Sequence, residues 1–231
     1  MKKLFYTLIF LSFTCFSNFA GAANMNVRCK PFVKSPNVTI KAVFEPLRYD
    51  YSRAPRTLEN MHRKEYGGEI HEGYRINGLT PYNLKTTLEF NVLKKVFRDG
   101  VTCFYPGEIS LVLTLKDPVI YIARSIKKGT CEYNVTMRHE QTHEQINVEA
   151  LEHYLPKIKD AFLKAVKKYA VAGRAQDDVT LEAVQKSLQK KYFDAINPLL
   201  KELEEEIGRE QNKFDTKEQY NYESSLCQFL R

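Results

Sequence analysis

Five consecutive residues, His139-Glu140-Gln141-Thr142-His143, carry the chemistry most plainly written in this chain. They read H-E-x-x-H. On an α-helix positions i and i+4 share a face, so both imidazoles can bind one zinc ion. Glu140 follows the first histidine and can reach a water held in an open zinc position. Zinc lowers the pKa of such a water towards about 7, and a neighbouring carboxylate can take its proton as it attacks a carbonyl. The pattern names a metal, a general base and a reaction class, and it leaves the substrate open.

A catalytic zinc site needs a third protein ligand. Glu149 lies six residues after His143, but the chain would need a glycine to turn back to the metal there, and none lies between them. Glu182 comes late, on the following helix. Asp215 and Glu218, in the C-terminal stretch Asp215-Thr216-Lys217-Glu218-Gln219-Tyr220, could be brought in by a disulfide; they rank ahead of Glu149. Asn147, one turn beyond His143, could orient a ligand from outside the metal shell. His153 is too far along the helix to share the ion and reads as a surface residue. His62 and His71, with Glu65 and Glu69, read as a solvated loop. Tyr133, Tyr154 and Tyr220 could donate to an oxyanion, although tyrosines at such positions more often pack in cores and interfaces.

The elements that must position these residues change character half-way. Residues 23–130 are strand-rich. Asn37 to Phe44 alternates and carries β-branched residues. Residues 52–73 suggest a long surface loop or a short helix with a loop, and Gly78-Leu79-Thr80-Pro81 a turn. Leu84 to Val96 fits a strand better than a helix. Ile109 to Leu115 and Val119 to Ala123, joined at Asp117-Pro118, read as a hairpin, with the second strand bordering a cleft where an extended peptide could pair. Residues 131–231 are helical. One helix begins near Asn134 to Thr136 and carries the motif to about Tyr154. Pro156 kinks it or opens a new helix that runs to Tyr169. After an N-cap at Asp177-Asp178, a third helix carries Val184, Leu188, Tyr192, Ile196, Leu200, Leu203 and Ile207 at spacings of three and four. Pro198 bends it, Gly208 ends it, and a polar tail leads to Cys227. Strands, then a motif helix, then further helices match an α+β, zincin-like domain.

The N-terminus reads as a secretory signal: Lys2 and Lys3, an apolar run from Leu4 to Phe19, and a small-residue cleavage site at Ala20-Gly21-Ala22. Cleavage after residue 22 leaves 209 of the 231 residues, enough for one domain with a sizeable core. No later stretch is apolar for long enough to span a bilayer. The net charge of +7 falls to +5 with the two lysines removed, and the basic stretches lie among acids and apolar residues, so no nucleic-acid partner is expected. Four cysteines remain, Cys29, Cys103, Cys131 and Cys227. Their even number in an exported chain implies two disulfides with three possible pairings. Cys29–Cys103 with Cys131–Cys227 is favoured, although Cys103 and Cys131 are closer in sequence.

A resemblance rests on several of these segments. Glu45 to Ser52, Asn77 to Thr80, Val119 to Ala123, Gly129 to Tyr133, His139 to Asn147, and Asp215-Thr216 to Cys227 look like those of a group of exported bacterial H-E-x-x-H proteins with no assigned activity. More distantly the chain is similar to predicted secreted zinc proteases of bacteria, in which a histidine follows a Tyr-Asp-x-x-Thr motif. Phe214-Asp215-Thr216-Lys217-Glu218-Gln219-Tyr220 is the matching stretch, with Tyr220 in the place of that histidine. The resemblance implies a metallopeptidase and carries over only His139, Glu140 and His143. The expectation is an exported zinc-dependent hydrolase, periplasmic or secreted, acting on a peptide or protein. The alternative is a non-catalytic envelope protein that binds or supports others.

Overall fold

A computed structural model describes residues 29, 35–66, 75–98, 100–175 and 180–227. The expected signal segment, the Gly67-Gly68 to Gly73 stretch with Glu69 and His71, and the Asp177-Asp178 cap lie outside the described residues.

The fold is α+β. Strands β1 (Asn37–Phe44), β4 (Leu84–Val96), β5 (Thr102–Leu115) and β7 (Gly173–Ala175) form one sheet, with β5 parallel to β1 and antiparallel to β4 and β7. Along β5 the residues Ile109, Leu111, Leu113 and Leu115 are buried while their neighbours are less so, the period of two expected of a strand with one core face. Two long helices cover that face. α2 (Cys131–Lys168) contributes Leu151, Tyr154, Ile158, Phe162 and Val166, and α3 (Leu181–Phe214) contributes Val184, Leu188, Tyr192, Ile196 and Leu203. Their spacing of three and four residues keeps each apolar stripe on one side. Strands β2 (Arg48–Asp50), β6 (Val119–Ile122) and β3 (Gly78–Leu79) form a second, smaller sheet in the order β2-β6-β3. It shares a core of its own with α1 (Pro55–Tyr66) and the first turns of α2, built from Leu58, Leu79, Ile120, Ile122 and Tyr133.

Each of the three later helices starts on a threonine. The hydroxyls of Thr130, Thr180 and Thr216 accept from the backbone N–H of Tyr133, Ala183 and Gln219 at 3.2, 3.1 and 3.1 Å, satisfying amides that have no partner within the helix. The motif helix therefore begins at Cys131, earlier than Asn134. Pro156 lies inside α2 and neither ends it nor opens a new helix, and α3 runs past Gly208 to Phe214. The expected polar tail is a fourth helix, α4 (Lys217–Leu226).

The expected hairpin of Ile109 to Leu115 with Val119 to Ala123 does not form; β5 and β6 belong to different sheets. Asp117 takes the left-handed conformation (φ 50°) and turns the chain out of the plane of β5. The β1–β2 connection makes the same crossing beside it. Glu45 N donates to Leu115 O at 3.2 Å, Asp117 N to Glu45 Oε2 at 2.8 Å, and Arg48 N to Pro118 O at 3.0 Å. Parallel partners thus change sheets together, and the true hairpin is β4–β5. A second correction follows for the peptide-pairing strand. β6 is paired on both sides, so the edge strand nearest the motif is β3, which packs on α2.

The Tyr192 ring is fully buried between Phe90 and Phe162, and its hydroxyl has no hydrogen-bond partner among the described residues. Removing a buried, unpaired hydroxyl relieves its desolvation cost. Tyr192→Phe is expected to leave stability unchanged or raise it by about 1 kcal/mol, whereas Tyr192→Ala costs about 3–5 kcal/mol; urea denaturation of both variants checks the pair.

Candidate metal centre

α2 places His139 and His143 one turn apart on its buried side. The end of α3 brings Asp215 to them. His139 Nε2 and His143 Nε2 lie 3.0 and 3.1 Å from the same oxygen, Asp215 Oδ1, and 3.1 Å from each other. Three atoms in such a triangle cannot all satisfy one another by hydrogen bonds, because a proton on either nitrogen points at only one neighbour. Tetrahedral zinc with bonds of about 2.0 Å has ligand–ligand edges of about 3.3 Å, so the triangle has nearly the size of one face of that tetrahedron. The donor set, two imidazole nitrogens and one carboxylate oxygen, also suits zinc.

Other side chains hold the three in place. His139 Nδ1 lies 3.2 Å from Glu223 Oε1 on α4, the arrangement in which a carboxylate orients a ligating histidine through its far nitrogen. The His139 ring stacks with Phe214 and Tyr220 at centroid distances of 4.6 and 5.3 Å. Tyr220 donates its hydroxyl proton to Asp215 Oδ1 at 2.7 Å. His143 rests edge-on against Phe214, and its Nδ1 is buried with no hydrogen-bond partner among the described residues.

Glu140 is buried beside the triangle. The Thr80 hydroxyl, just past β3, donates to Glu140 Oε2 at 2.8 Å and approaches its backbone carbonyl at 3.1 Å. Gly78 lies against the same side chain: a Cβ at position 78 would sit 2.6 Å from Glu140 Cδ, so only glycine lets β3 approach this closely. The sequence reading took Gly78 to Pro81 as a turn and missed Thr80 as a partner of Glu140.

Charge is crowded here. Burial works against the charge on Asp215, but hydrogen bonds with His139 and His143 outweigh it and hold the carboxyl well below the usual range. Burial likewise opposes the His139 imidazolium, and Asp215 and Glu223 overcome it, pushing the pKa up to about 10. Glu223 is held low against its own burial, chiefly by the bond with His139. Glu140 behaves differently: burial raises its pKa, and the nearby histidines and Thr80 offset this only in part. Three carboxylates around two imidazoles leave an excess of negative charge that a divalent cation would balance.

The remaining sequence candidates fall elsewhere. Glu149 is exposed and accepts from Gln145 at 2.6 Å. Glu182 and Glu218 are exposed in the first turns of α3 and α4. Each points away because the helix continues through its position. Asn147 hydrogen-bonds to neither histidine; it accepts from Gln211 Nε2 at 2.8 Å, and Gln211 O in turn accepts from Asp215 N at 2.8 Å. Asn147 therefore bears on the ligand set through the end of α3. His153 is exposed near Lys157, Tyr154 donates to Glu206 at 3.0 Å, and the hydroxyls of Tyr133 and Tyr51 lie 3.1 Å apart. His62 is not a solvated loop residue: it is half-buried on α1. Glu223 was missed because α4 buries none of its residues fully and so shows no apolar stripe.

No family model, curated protein or solved structure matches this chain.

Two disulfides join Cys29 to Cys103 and Cys131 to Cys227, the pairing favoured from the sequence. The second links the first residue of α2 to the C-cap of α4. With so little apolar burial of its own, α4 depends on this tether to keep Glu223 and Tyr220 at the triangle. Cys131→Ser/Cys227→Ser is expected to speed amide exchange across residues 217–226 and to weaken binding of divalent zinc by about 10–100-fold, the usual effect of losing outer-shell partners; hydrogen exchange and a competitive chelator titration measure the two.

Proposed function

We propose that the protein is an exported, zincin-like, zinc-dependent hydrolase that cleaves peptides or proteins. The observation that carries this reading is the convergence of His139 Nε2, His143 Nε2 and Asp215 Oδ1 within 3.1 Å of one another beside a buried glutamate. His139, His143 and Asp215 would hold the ion. A zinc ion so held supplies a polarised water at neutral pH and an electrophile for the substrate carbonyl.

Glu140 is the general base. Thr80 engages Oε2, and the absence of a side chain at Gly78 lets the Glu140 carboxylate pack against β3; from there it would take the proton of the attacking water. Burial raises the proton affinity of this carboxylate, so it can hold the proton and then return it to the departing amine nitrogen. Asp215 is kept charged by the histidines and Tyr220, and Glu223 keeps the His139 ring aimed. The β3 edge, directly against Glu140, is the strand along which an extended peptide would add its backbone. Two disulfides, and the absence among described helices of any long and apolar enough to cross a membrane, fit export.

Two outcomes are expected. Glu140→Gln should retain about one zinc per chain and lose hydrolysis by about 10²–10⁴-fold, while Asp215→Asn should lose the zinc itself; mass spectrometry of the metal and a peptide-library assay read these out. Full activity in Glu140→Gln, or no zinc in the reloaded wild type, overturns the proposal and leaves a binding role. Zinc affinity should also depend on pH. A proton that His139 keeps up to about pH 10 must leave before Nε2 can bind an ion. Affinity should therefore rise with pH from about 6.5 to about 10, by up to about tenfold per unit, where an unshifted histidine would level off above its ordinary 6.5. Without metal the sign reverses: the imidazolium stabilises the fold fully below pH 6.5, and this is lost as pH rises through about 10. Chelator competition and thermal melts across that range test both.

A further inference from the structure

The chain at β3 is shaped around a single side chain of the motif helix. β3 is held to β6 by the pairs Gly78↔Ile122 and Leu79↔Tyr121. Successive residues of a strand point to opposite faces. Leu79 accordingly enters the small core, while Gly78 and Thr80 both meet Glu140. Gly78 brings main chain against the middle of that side chain, where any Cβ would collide with Glu140 Cγ and Cδ. Thr80 takes its end. The Thr80 hydroxyl lies 2.8 Å from Oε2 and 3.1 Å from the main-chain carbonyl oxygen of the same glutamate, and both residues are buried. A glutamate has three rotatable side-chain bonds, and a helix leaves it several staggered conformations. Contacts at Cγ, Cδ and Oε2 select one of them.

We propose that Thr80 is a positioning residue whose hydroxyl holds the Glu140 carboxylate in its working orientation both before and after that carboxylate takes a proton from the attacking water. The proposal rests on the hydrolase reading. A hydroxyl has one proton to give and two lone pairs to accept with. While Glu140 is charged, Thr80 donates to Oε2. Whichever carboxylate oxygen takes the proton, a bond remains. With the proton on Oε1, Oε2 still accepts from Thr80. With the proton on Oε2, Thr80 Oγ1 accepts it and turns its own proton to the Glu140 carbonyl oxygen, 3.1 Å away. When the proton passes on to the departing amine nitrogen, the hydroxyl turns back. Thr80 itself neither gains nor loses a proton. Valine has nearly the shape of threonine and lacks this hydroxyl, so it withdraws the donor from a buried oxygen and lets the carboxylate turn. A misplacement of about 1 Å can cost about 10²-fold in rate.

The test separates this role from the parent reading. Wild type, Thr80→Val and Thr80→Ser, each also combined with Glu140→Ala, are loaded with cobalt in place of zinc. The visible absorption of the metal is followed during titration with acetohydroxamate, a probe that binds a metal through its oxygens and gives its hydroxyl proton to a neighbouring base. All six should hold about one cobalt per chain. Acetohydroxamate should bind Thr80→Val about tenfold more weakly than wild type, and Thr80→Ser, which keeps the hydroxyl, should recover most of that loss. With Glu140→Ala present the three residues at position 80 should bind the probe alike, because Thr80 acts only through that carboxylate. With a cleaved peptide, kcat should fall about 10–100-fold in Thr80→Val with KM little changed, and Thr80→Ser should restore most of it. Equal probe affinity in wild type and Thr80→Val, no recovery in Thr80→Ser, an effect of Thr80→Val that survives Glu140→Ala, or loss of cobalt from Thr80→Val would overturn the proposal. Probe binding that depends on Thr80 through Glu140 in a wild type that cleaves no peptide would retain the positioning and retire the hydrolase. A wild type that cleaves peptide with Thr80→Val unimpaired would do the reverse, and one that takes up no cobalt would remove both.

Discussion

A carboxylate taken out of water costs several kcal/mol unless charge or hydrogen bonds compensate it, and this protein withdraws Glu140, Asp215 and Glu223 into a single site. Each is compensated by partners from a different part of the chain. Asp215 receives both imidazoles and the Tyr220 hydroxyl, Glu223 receives His139, and Glu140 receives Thr80. No single element could supply these partners, so the arrangement of α2, α3, α4 and β3 answers to the requirement that no buried charge be left alone. Removing one partner leaves the others desolvated and uncompensated, which couples the site to the stability of the fold around it.

The two sheets divide the work. The larger, with β5 at its centre, supplies the apolar platform on which α2 and α3 lie side by side, and this sets the distance between the histidines and the far end of α3. The smaller one carries β3 to the other side of α2 and sets Thr80 and Gly78 against Glu140. The paired crossings at Glu45 and Asp117 join the platforms. A change at those crossings would therefore be felt as a shift of Glu140 relative to His139, His143 and Asp215, though neither residue is near them in sequence.

What could be read in the sequence follows from range. The i,i+4 histidines, the apolar stripes of α2 and α3, and β1 and β5 are written in local periodicity, and the structure has them as helices and strands. Asp215 stood among several carboxylates because its approach to His143 spans 72 residues and is decided by packing alone. β3 has two residues, too few to show a period, and looks like the turn it follows. The β5–β6 error has a similar cause: two alternating runs around Asp117-Pro118 look the same whether the chain folds back in one sheet or turns a corner into another. α4 gave no signal because its partners are polar and its tether is covalent.

The triangle of His139, His143 and Asp215 is split along the chain in a way that orders its assembly in time. His139 and His143 emerge together during synthesis, but Asp215 follows 72 residues after His143 and Glu223 84 after His139, on a helix fastened by Cys131–Cys227. The centre therefore matures last, after residue 227 has left the ribosome and its thiol has met that of Cys131. Where glutathione keeps thiols reduced, the chain can fold its sheets and still lack a fastened centre. Oxidation is then the step that fastens Glu223 and Tyr220 beside His139.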